Sequence, residues 1–289
     1  MSCAIRSISH LLSAGLFKLR AKADRRAERS NISSGIMARL VRCDGARDKH
    51  FVFEILSPIR AAINFALPPR CAGCGVIVEG DHQLCTPCWE SLDFLTGAGC
   101  SLCGSPAVAA GLVCGPCLNE APAHDGVRFA VVYGDLARQI VLRLKHGGRT
   151  GLAKLAATAM ERHLPKMPSL LVPVPLHRWR IWQRGFNQSS LIAAHLAANS
   201  GHRVADDILI RAKGTPLLRG LGAKDRRKAV QGAFTLQTNA KERLLGQHVI
   251  LVDDVYTSGA TANACARMLK RGGAQTVTVL CWARVLIND

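Results

Sequence analysis

The sequence lacks an apolar run long enough to cross a membrane and lacks a convincing export signal. No apolar segment of its 289 residues approaches the ~18 residues that a membrane-spanning helix needs. Residues 6–23 have the charged, apolar and small residues of an export signal in order, but Lys18 and Arg20 interrupt the pattern and His10 lies in its apolar part. We therefore expect a cytoplasmic protein with no membrane span, whose cysteines stay reduced.

Acidic residues are also scarce. The chain has 20 Asp and Glu against 38 Lys and Arg, which gives a formal net charge of +18. A balance this basic favours anionic partners such as nucleotides, pyrophosphate or nucleic acid. Residues 1–50 hold 11 of the basic and 4 of the acidic residues, and we expect them to form a basic, disordered extension. Because a recognisable pattern begins only near Phe51, Met37 competes with Met1 as the expected translation start.

The rest of the chain divides into two regions. A cysteine-rich segment covers residues 51–120, and strand-like and helix-like segments alternate over residues 127–289. This alternation predicts a doubly wound, mostly parallel α/β sheet. The predicted strands are 127–133, 169–174, 208–211, 248–252 and 276–282. The predicted helices are 136–146, 151–164, 187–199 and 261–271.

The cysteine-rich segment is an internal repeat. Eight of the twelve cysteines form four Cys-x-x-Cys pairs, and the pattern returns after 29 residues. Each copy reads Cys-x-x-Cys-Gly, nine residues, then Cys-x-Pro-Cys. Two such turns supply the four thiolates that tetrahedral zinc requires. The candidate ligands are Cys71, Cys74, Cys85, Cys88, Cys100, Cys103, Cys114 and Cys117.

Zinc is the favoured interpretation, and the pairs would then form one or two closed, structural sites. Disulfides, a redox function and an iron–sulfur cluster are the alternatives. A reducing compartment disfavours disulfides, and a redox Cys-x-x-Cys is expected once, beside a βαβ unit. The spacing leaves open whether neighbouring pairs share a metal or interleave.

The most informative stretch is 249–261. Its apolar start predicts a strand buried on both faces, which ends in Asp253 and Asp254. The turn 257–261 follows, and its small residues let backbone N–H groups at a helix N-terminus approach an anion. Paired carboxylates at a strand's carboxyl end can accept hydrogen bonds from two sugar hydroxyls. The stretch predicts a ribose 5-phosphate site, whereas a solvated acidic turn would explain the carboxylates alone.

This stretch resembles the phosphoribosyl pyrophosphate (PRPP) signature of type I phosphoribosyltransferases. The resemblance implies that fold for residues 127–289, behind a small cysteine-rich zinc-binding segment. It also implies that Asp253 and Asp254 are the catalytic pair, which holds the ribose hydroxyls. The implied 5′-phosphate-binding residues are Thr257, Ser258, Gly259, Ala260 and Thr261.

A second motif lies upstream. Residues 171–175 predict a strand end that feeds a basic loop, and a helix begins near Asn187. Arginine binds phosphate oxygens in a bidentate manner, so Arg180 and Arg184 suit a multiply charged anion. The alternative is a solvated basic loop whose aromatic residues, Trp179, Trp182 and Phe186, pack on the core.

The cysteine pairs, this loop and the PRPP signature, in this order, resemble the ComF family of phosphoribosyltransferase-like competence proteins over about residues 65–285. The resemblance implies that Arg180 and Arg184 face pyrophosphate. Lys145 resembles part of a Lys-x-x-Gly element and is a third pyrophosphate candidate, although a basic helix end would look the same. Residues 211–234 take the place of the loop that closes over PRPP.

The loop departs from the commoner family pattern, because Leu218 stands where Gln is frequent and Ala229 where Asn is frequent. If the site is catalytic, pyrophosphate is displaced at ribose C1 with Mg²⁺ as charge neutraliser. The competing function is non-catalytic handling of single-stranded DNA on the same scaffold, since basic residues interleaved with aromatics suit a single strand. The resemblance implies as partners PRPP or a related phosphoribosyl ligand, and single-stranded DNA with the DNA-uptake machinery.

Overall fold

The structure is a computed structural model, and it describes residues 68–95, 97–214 and 222–286. The expectations for residues 1–50, for the translation start and for Leu218 lie outside these ranges. Within them no helix is long and apolar enough to cross a membrane. The strands are β1 (Gly126–Val132), β2 (Leu170–Pro173), β3 (Arg203–Val204), β4 (Leu209–Arg211), β5 (Phe234–Leu236), β6 (His248–Tyr256) and β7 (Thr276–Arg284). The helices are α1 (Thr86–Glu90), α2 (Gly115–Asn119), α3 (Asp135–His146), α4 (Leu152–Glu161), α5 (Arg178–Arg184), α6 (Gln188–Ser200), α7 (Ala223–Val230), α8 (Ala240–Leu244) and α9 (Ala260–Arg271).

Five strands form one sheet in the order β1-β7-β6-β2-β3, and all neighbouring strands are parallel. The predicted parallel α/β sheet is thus confirmed. The central strand β6 pairs with β2 so that Val252 lies opposite Pro173. The residues that follow β2 and β6 therefore meet at one edge of the sheet, where open α/β sheets bind their ligands.

Helices cover both faces of this sheet. Helices α3, α4 and α6 pack on one face, and the fully buried Trp282 of β7 lies in that layer. Helices α8 and α9 and the β4–β5 segment pack on the other face. Successive residues of β6 alternate between the two layers, because Ile250 belongs to the first and Leu251 to the second. Burial on both faces explains the uninterrupted apolar run of β6.

Two predictions about the strands need correction. β6 continues through Asp253 and Asp254 to Tyr256 instead of ending at Val252, because its pairing with β7 also continues to Tyr256. The strand predicted at 208–211 lies outside the main sheet. It forms β4, which pairs antiparallel with β5 in a separate two-stranded sheet.

The basic segment predicted as a loop is helix α5. The helix begins after His177, whose ring accepts the N–H of Trp179 and so satisfies one N-terminal donor. It ends at Gly185, which has a φ of +84° and so adopts the left-handed conformation that glycine favours at helix ends. Both end signals, His177 and Gly185, are present in the sequence, but the high charge of the segment between them favours a loop.

The cysteine-rich segment folds as two similar units, which we call the first cysteine unit (residues 70–90) and the second cysteine unit (residues 99–119). Isolated antiparallel bridges join Arg70 to Ile77 and Gly99 to Pro106, so corresponding pairs lie one repeat apart. Each unit ends in a short helix, α1 or α2, with proline in its first turn. The sequence repeat is therefore a structural repeat.

Candidate functional site

Each cysteine unit brings four thiols together. The Sγ atoms of each set lie within 4.8 Å of one another, and Cys74–Cys85 and Cys103–Cys114 are separated by 3.5 and 3.6 Å. Thiolates ~2.3 Å from one zinc ion would lie ~3.8 Å apart, so the sets fit tetrahedral zinc. These separations are too long for disulfides, whose sulfurs lie ~2.05 Å apart. The sets are Cys71, Cys74, Cys85 and Cys88, and Cys100, Cys103, Cys114 and Cys117.

Neighbouring Cys-x-x-Cys pairs therefore share a metal site. In each site, backbone N–H groups favour the thiolate form of one cysteine. The N–H groups of Gly73 and Cys85 donate to Cys71 Sγ, and that of Cys114 donates to Cys100 Sγ, all at 3.3 Å. Burial opposes ionisation of Cys71 and Cys100, but the N–H groups outweigh it and lower the pKa of each thiol to about 6. Because the thiolate is the metal-binding form, both sites suit structural zinc.

The two carboxylates of β6 have different surroundings. Asp254 is buried, and its Oδ2 lies 2.7 Å from Lys145 Nζ of α3. Asp253 is half-buried, and its Oδ1 accepts hydrogen bonds from Ser189 Oγ at 3.2 Å and from the Asp254 N–H at 2.9 Å. Burial and then the charge of Asp254 raise the pKa of Asp253 to about 7. One carboxylate is thus paired with a lysine, while burial and the neighbouring charge raise the pKa of the other.

The turn 257–261, which we call the phosphate loop, joins β6 to α9. Gly259 is the N-cap of α9, with a φ of +74°, and a Cβ added to it would lie 2.3 Å from Tyr256 Oη. Only glycine fits this position without strain or displacement. No described side chain caps the first turn of α9, and Ser258 Oγ is buried without a hydrogen-bond partner among the described residues. A phosphate would satisfy both groups of donors.

Helix α5 brings arginines to the same edge of the sheet. Arg180 and Arg184 are half-buried, and Arg184 donates a hydrogen bond to Gln188 at the start of α6. Burial lowers the pKa of Arg184, the charge of Asp254 raises it and that of Arg180 lowers it. The structure therefore places the predicted residues Arg180, Arg184 and Asp254 within electrostatic reach of one another. Lys145, the third predicted pyrophosphate ligand, is the ion-pair partner of Asp254.

Arg211 is a candidate site residue that sequence reasoning identified only as the start of the basic loop. It lies at the end of β4, is 8% exposed, and its guanidinium lies 5.3 Å from the centre of the Phe234 ring. Burial and then the charge of Arg180 lower its pKa, while Asp253 is among the groups that raise it. Arg211 therefore lies within electrostatic reach of both Arg180 and Asp253. A lone arginine after an apolar strand was the only available signal.

Two tryptophans of α5 do not pack on the core, which was one interpretation of the sequence. The rings of Trp179 and Trp182 stack with centroids 4.9 Å apart and planes at 24°, and the residues are 61% and 76% exposed. Phe186, by contrast, is half-buried and packs against the layer of α3, α4 and α6. α5 thus presents a stacked aromatic pair to solvent beside the exposed Arg178.

Two family models match the chain. A double zinc ribbon domain matches residues 62–118, and a phosphoribosyl transferase domain matches residues 198–286. The two four-cysteine sets agree with the first match, and the parallel sheet with its strand–turn–helix at β6 agrees with the second. The protein is therefore of the class that joins a zinc ribbon to a phosphoribosyltransferase domain.

Named relatives identify the family within that class. Competence protein F of Haemophilus influenzae is 30% identical over 224 residues, which cover 74% of this chain and 96% of that protein. DNA utilization protein YhgH of Escherichia coli K12 is 30% identical over 195 residues, 65% of this chain and 84% of that protein. Competence protein ComFC of Bacillus subtilis is 29% identical over 213 residues, 70% of this chain and 84% of that protein. The chain belongs to the competence protein F (ComF) family, as its motifs predicted.

Proposed function

We propose that the protein binds PRPP, or a closely related phosphoribosyl ligand, at the edge formed by β2, β6 and α9. The observation that carries this proposal is the phosphate loop, where the buried Ser258 Oγ, without a partner among the described residues, directly precedes Gly259, the N-cap of helix α9, whose first turn no described side chain caps. Donors of this kind, at a helix N-terminus, are suited to a phosphate. The carboxylates of Asp253 and Asp254 supply acceptors for a diol on the adjoining strand.

Each part of the ligand would then have a suitable partner along this edge of the sheet. The 5′-phosphate would occupy the phosphate loop, and the ribose hydroxyls would donate to Asp253 and Asp254. The pyrophosphate would face Arg180 and Arg184, with Arg211 adding charge from β4. We assign Lys145 two functions, pyrophosphate binding as its motif implies and an ion pair with the buried Asp254, whose Oδ2 lies 2.7 Å from Lys145 Nζ.

Phosphoribosyl transfer at this edge would break the bond between ribose C1 and pyrophosphate and form one to an acceptor. The carboxylates of Asp253 and Asp254 would stabilise positive charge on the sugar, and Arg180 and Arg184 would stabilise the leaving group. Bound Mg²⁺ would neutralise pyrophosphate charge, and these same carboxylates are the hard oxygen ligands available to it.

Calorimetric titration with PRPP and Mg²⁺ tests the proposal. The wild-type protein is expected to bind, and Asp253→Asn/Asp254→Asn is expected to lose at least about tenfold in affinity because the diol acceptors lose their charge. Glu242→Gln is the matched control, since Glu242 is an exposed carboxylate on α8, before the amino end of β6. A folded, zinc-loaded wild-type protein that shows neither PRPP nor pyrophosphate binding would refute the proposal.

Handling of single-stranded DNA is a second candidate function, and the stacked, exposed Trp179–Trp182 pair favours it. Bases stack on exposed aromatic rings, and neighbouring arginines attract the phosphate backbone. The names of the relatives refer to competence and to DNA utilization, which agrees with this function.

Fluorescence anisotropy with a labelled oligothymidylate at several salt concentrations tests it. Trp179→Ala/Trp182→Ala should weaken binding by about tenfold or more if both rings stack on bases. Trp89→Ala provides the control, because Trp89 is also exposed but belongs to the first cysteine unit. Equal affinity of the wild-type protein and the Trp179/Trp182 variant would exclude this surface as the DNA site.

A further inference from the structure

Arg284, the last residue of β7, joins the second cysteine unit to the phosphate loop. Its side chain is buried, and only 5% of the residue is exposed. On the side of the cysteine unit, Nε donates to the Cys103 carbonyl at 3.1 Å and Nη2 to Ser105 Oγ at 3.2 Å. On the side of the loop, Nη1 donates to the Thr257 carbonyl at 3.0 Å. One guanidinium thus bridges the two.

The contact with Thr257 fixes a donor of the loop. The Thr257 carbonyl and the Ser258 N–H belong to one peptide plane, and the described residues contain no cis peptide bond. In a trans peptide these two groups point in opposite directions. Because Arg284 holds the carbonyl, it also directs the Ser258 N–H away from itself and sets the orientation of a donor in the phosphate loop.

Arg284 also contacts the aromatic ring that packs against the phosphate loop. Its guanidinium lies 4.8 Å from the centre of the Tyr256 ring. The Tyr256 hydroxyl lies 3.0 Å from His124 Nε2 and fills the space that a side chain at Gly259 would need. A shift of Arg284 would therefore disturb both the Thr257 carbonyl and the ring against which the Gly259 turn is formed.

The other end of the bridge rests on a metal-site ligand. Cys103 Sγ lies 3.2 Å from Ser105 Oγ, the same hydroxyl that accepts from Arg284. A zinc ion held by the second set would fix Cys103, and with it the carbonyl and the hydroxyl that hold Arg284. The first cysteine unit is held differently, because Arg143 of α3 donates to the carbonyls of Ala72 and Gly73.

We propose that Arg284 is a positioning residue of the phosphate loop and that the second four-cysteine site, rather than the first, sets the geometry of that loop. This inference rests on the proposed function for the identity of the ligand. The order of the loop itself can be measured without any ligand. A zinc ribbon unit would thereby serve as a structural part of a phosphate site instead of as a separate module.

Amide hydrogen exchange of the ligand-free, zinc-loaded protein provides the first test. In Arg284→Lys the amides that donate to carbonyls of the phosphate loop, such as the Asn263 N–H that donates to Gly259 at 2.8 Å, should exchange at least about tenfold faster, because the lysine cannot reproduce the forked contacts. Amides of α5 should be unchanged. Arg143→Lys is the matched control, and it should leave the loop amides unchanged while affecting the first cysteine unit. Unchanged loop exchange in Arg284→Lys would overturn the proposal.

A binding experiment distinguishes failure of this inference from failure of the proposed function. Ribose 5-phosphate and inorganic pyrophosphate are titrated separately against the wild-type protein and Arg284→Lys, with bound zinc measured in each sample. Positioning predicts about tenfold weaker ribose 5-phosphate binding with unchanged pyrophosphate binding, whereas general destabilisation would weaken both and contradict the inference. Failure of the wild-type protein to bind either probe would refute the proposed function, while the exchange result would still decide the inference.

Ser105→Val is the second variant, in case Arg284→Lys does not fold. It removes one of the two contacts that Arg284 makes with the second cysteine unit, and it keeps the arginine and all eight ligand cysteines. Faster exchange of the phosphate loop, by a smaller factor than in Arg284→Lys, is the expected result. Loop exchange equal to that of the wild-type protein would show that the cysteine unit does not hold the loop through this hydroxyl and would overturn the proposal.

Discussion

The two cysteine units share a sequence pattern but differ in how deeply they are buried. In the second set Cys114 is half-buried and the other three cysteines are buried, whereas in the first set only Cys71 is buried and Cys74 is exposed. The second unit also packs closely on β1, because a Cβ at Gly104 would lie 2.8 Å from Phe129. The thiols of the second unit are thus more deeply buried than those of the first.

They also differ at one position within the repeat. Ser105, which contacts Arg284, occupies the place that Val76 has in the first unit, one repeat of 29 residues earlier. Val76 is 50% exposed. Two copies of one metal-binding pattern can therefore acquire different functions through contacts made by residues between the ligands. The pattern ensures metal binding, and the intervening residues decide what the metal site supports.

The largest expected effect is on stability after loss of a ligand. Cys103→Ser and Cys74→Ser should each reduce bound zinc from two ions to about one, because each set loses one of its four thiolates. Cys103→Ser should lower the free energy of unfolding by ~4 kcal/mol, and Cys74→Ser by about half as much, since only Cys103 is buried. Zinc analysis and urea unfolding measure both quantities. Equal losses of stability would remove the proposed difference between the units.

The next effect is a pH dependence of the free energy of unfolding, which arises at a histidine that follows the second unit in the chain. His124 lies between that unit and β1, and burial lowers its pKa to about 4. The unfolded chain binds a proton at this ring near pH 6.5, but the folded protein does so only near pH 4. The free energy of unfolding should therefore fall as pH drops between these values, by up to ~3 kcal/mol.

Urea unfolding of the wild-type protein and His124→Gln at several pH values tests this expectation. The difference between the two proteins cancels the acid sensitivity of the zinc thiolates, which they share. That difference should be constant above about pH 7 and should shift in favour of the variant as the pH falls. A difference that does not vary with pH would show that the ring is not kept neutral in the folded protein.

A smaller effect is expected in the phosphate loop itself. Gly259→Ala combines a left-handed φ with a Cβ that would lie 2.3 Å from Tyr256 Oη, so we expect a loss of ~2–3 kcal/mol in stability and of measurable ribose 5-phosphate binding. Gly246→Ala is the control, because Gly246 also has a positive φ, +68°, but open space at its Cβ. Thermal unfolding and calorimetry should show about 1 kcal/mol and normal binding for the control.

The sequence predicted those features that a short segment specifies by itself. The cysteine repeat, the apolar strand β6 and the turn at Gly259 each combine residue types whose local chemistry suggests few structures. Helix α5 was predicted as a loop because its end signals, His177 and Gly185, are single residues in a segment dominated by charge. Local signals of this kind are present in the sequence but easily outweighed.

Contacts between distant residues could not be predicted in this way. Arg284 reaches Cys103 across 181 positions of sequence, and Arg143 reaches Ala72 across 71. Neither arginine belongs to a motif, and each looks like an ordinary basic residue at the end of a strand or in a helix. Only the order of the strands, with β7 beside β6, places the end of β7 next to the phosphate loop.

The smallest expected effect tests the difference between the units most directly. Ser105→Val gives the second unit the residue of the first and removes a hydrogen bond to the buried Arg284, so we expect a loss of ~1.5 kcal/mol. The reverse change, Val76→Ser, should alter stability by less than about 0.5 kcal/mol, because that position is half exposed. Urea unfolding of both variants gives the comparison. A loss of stability in Val76→Ser as large as in Ser105→Val would mean that this position acts within the metal-binding turn itself. The contact with Arg284 would then not be needed to explain why the two units differ.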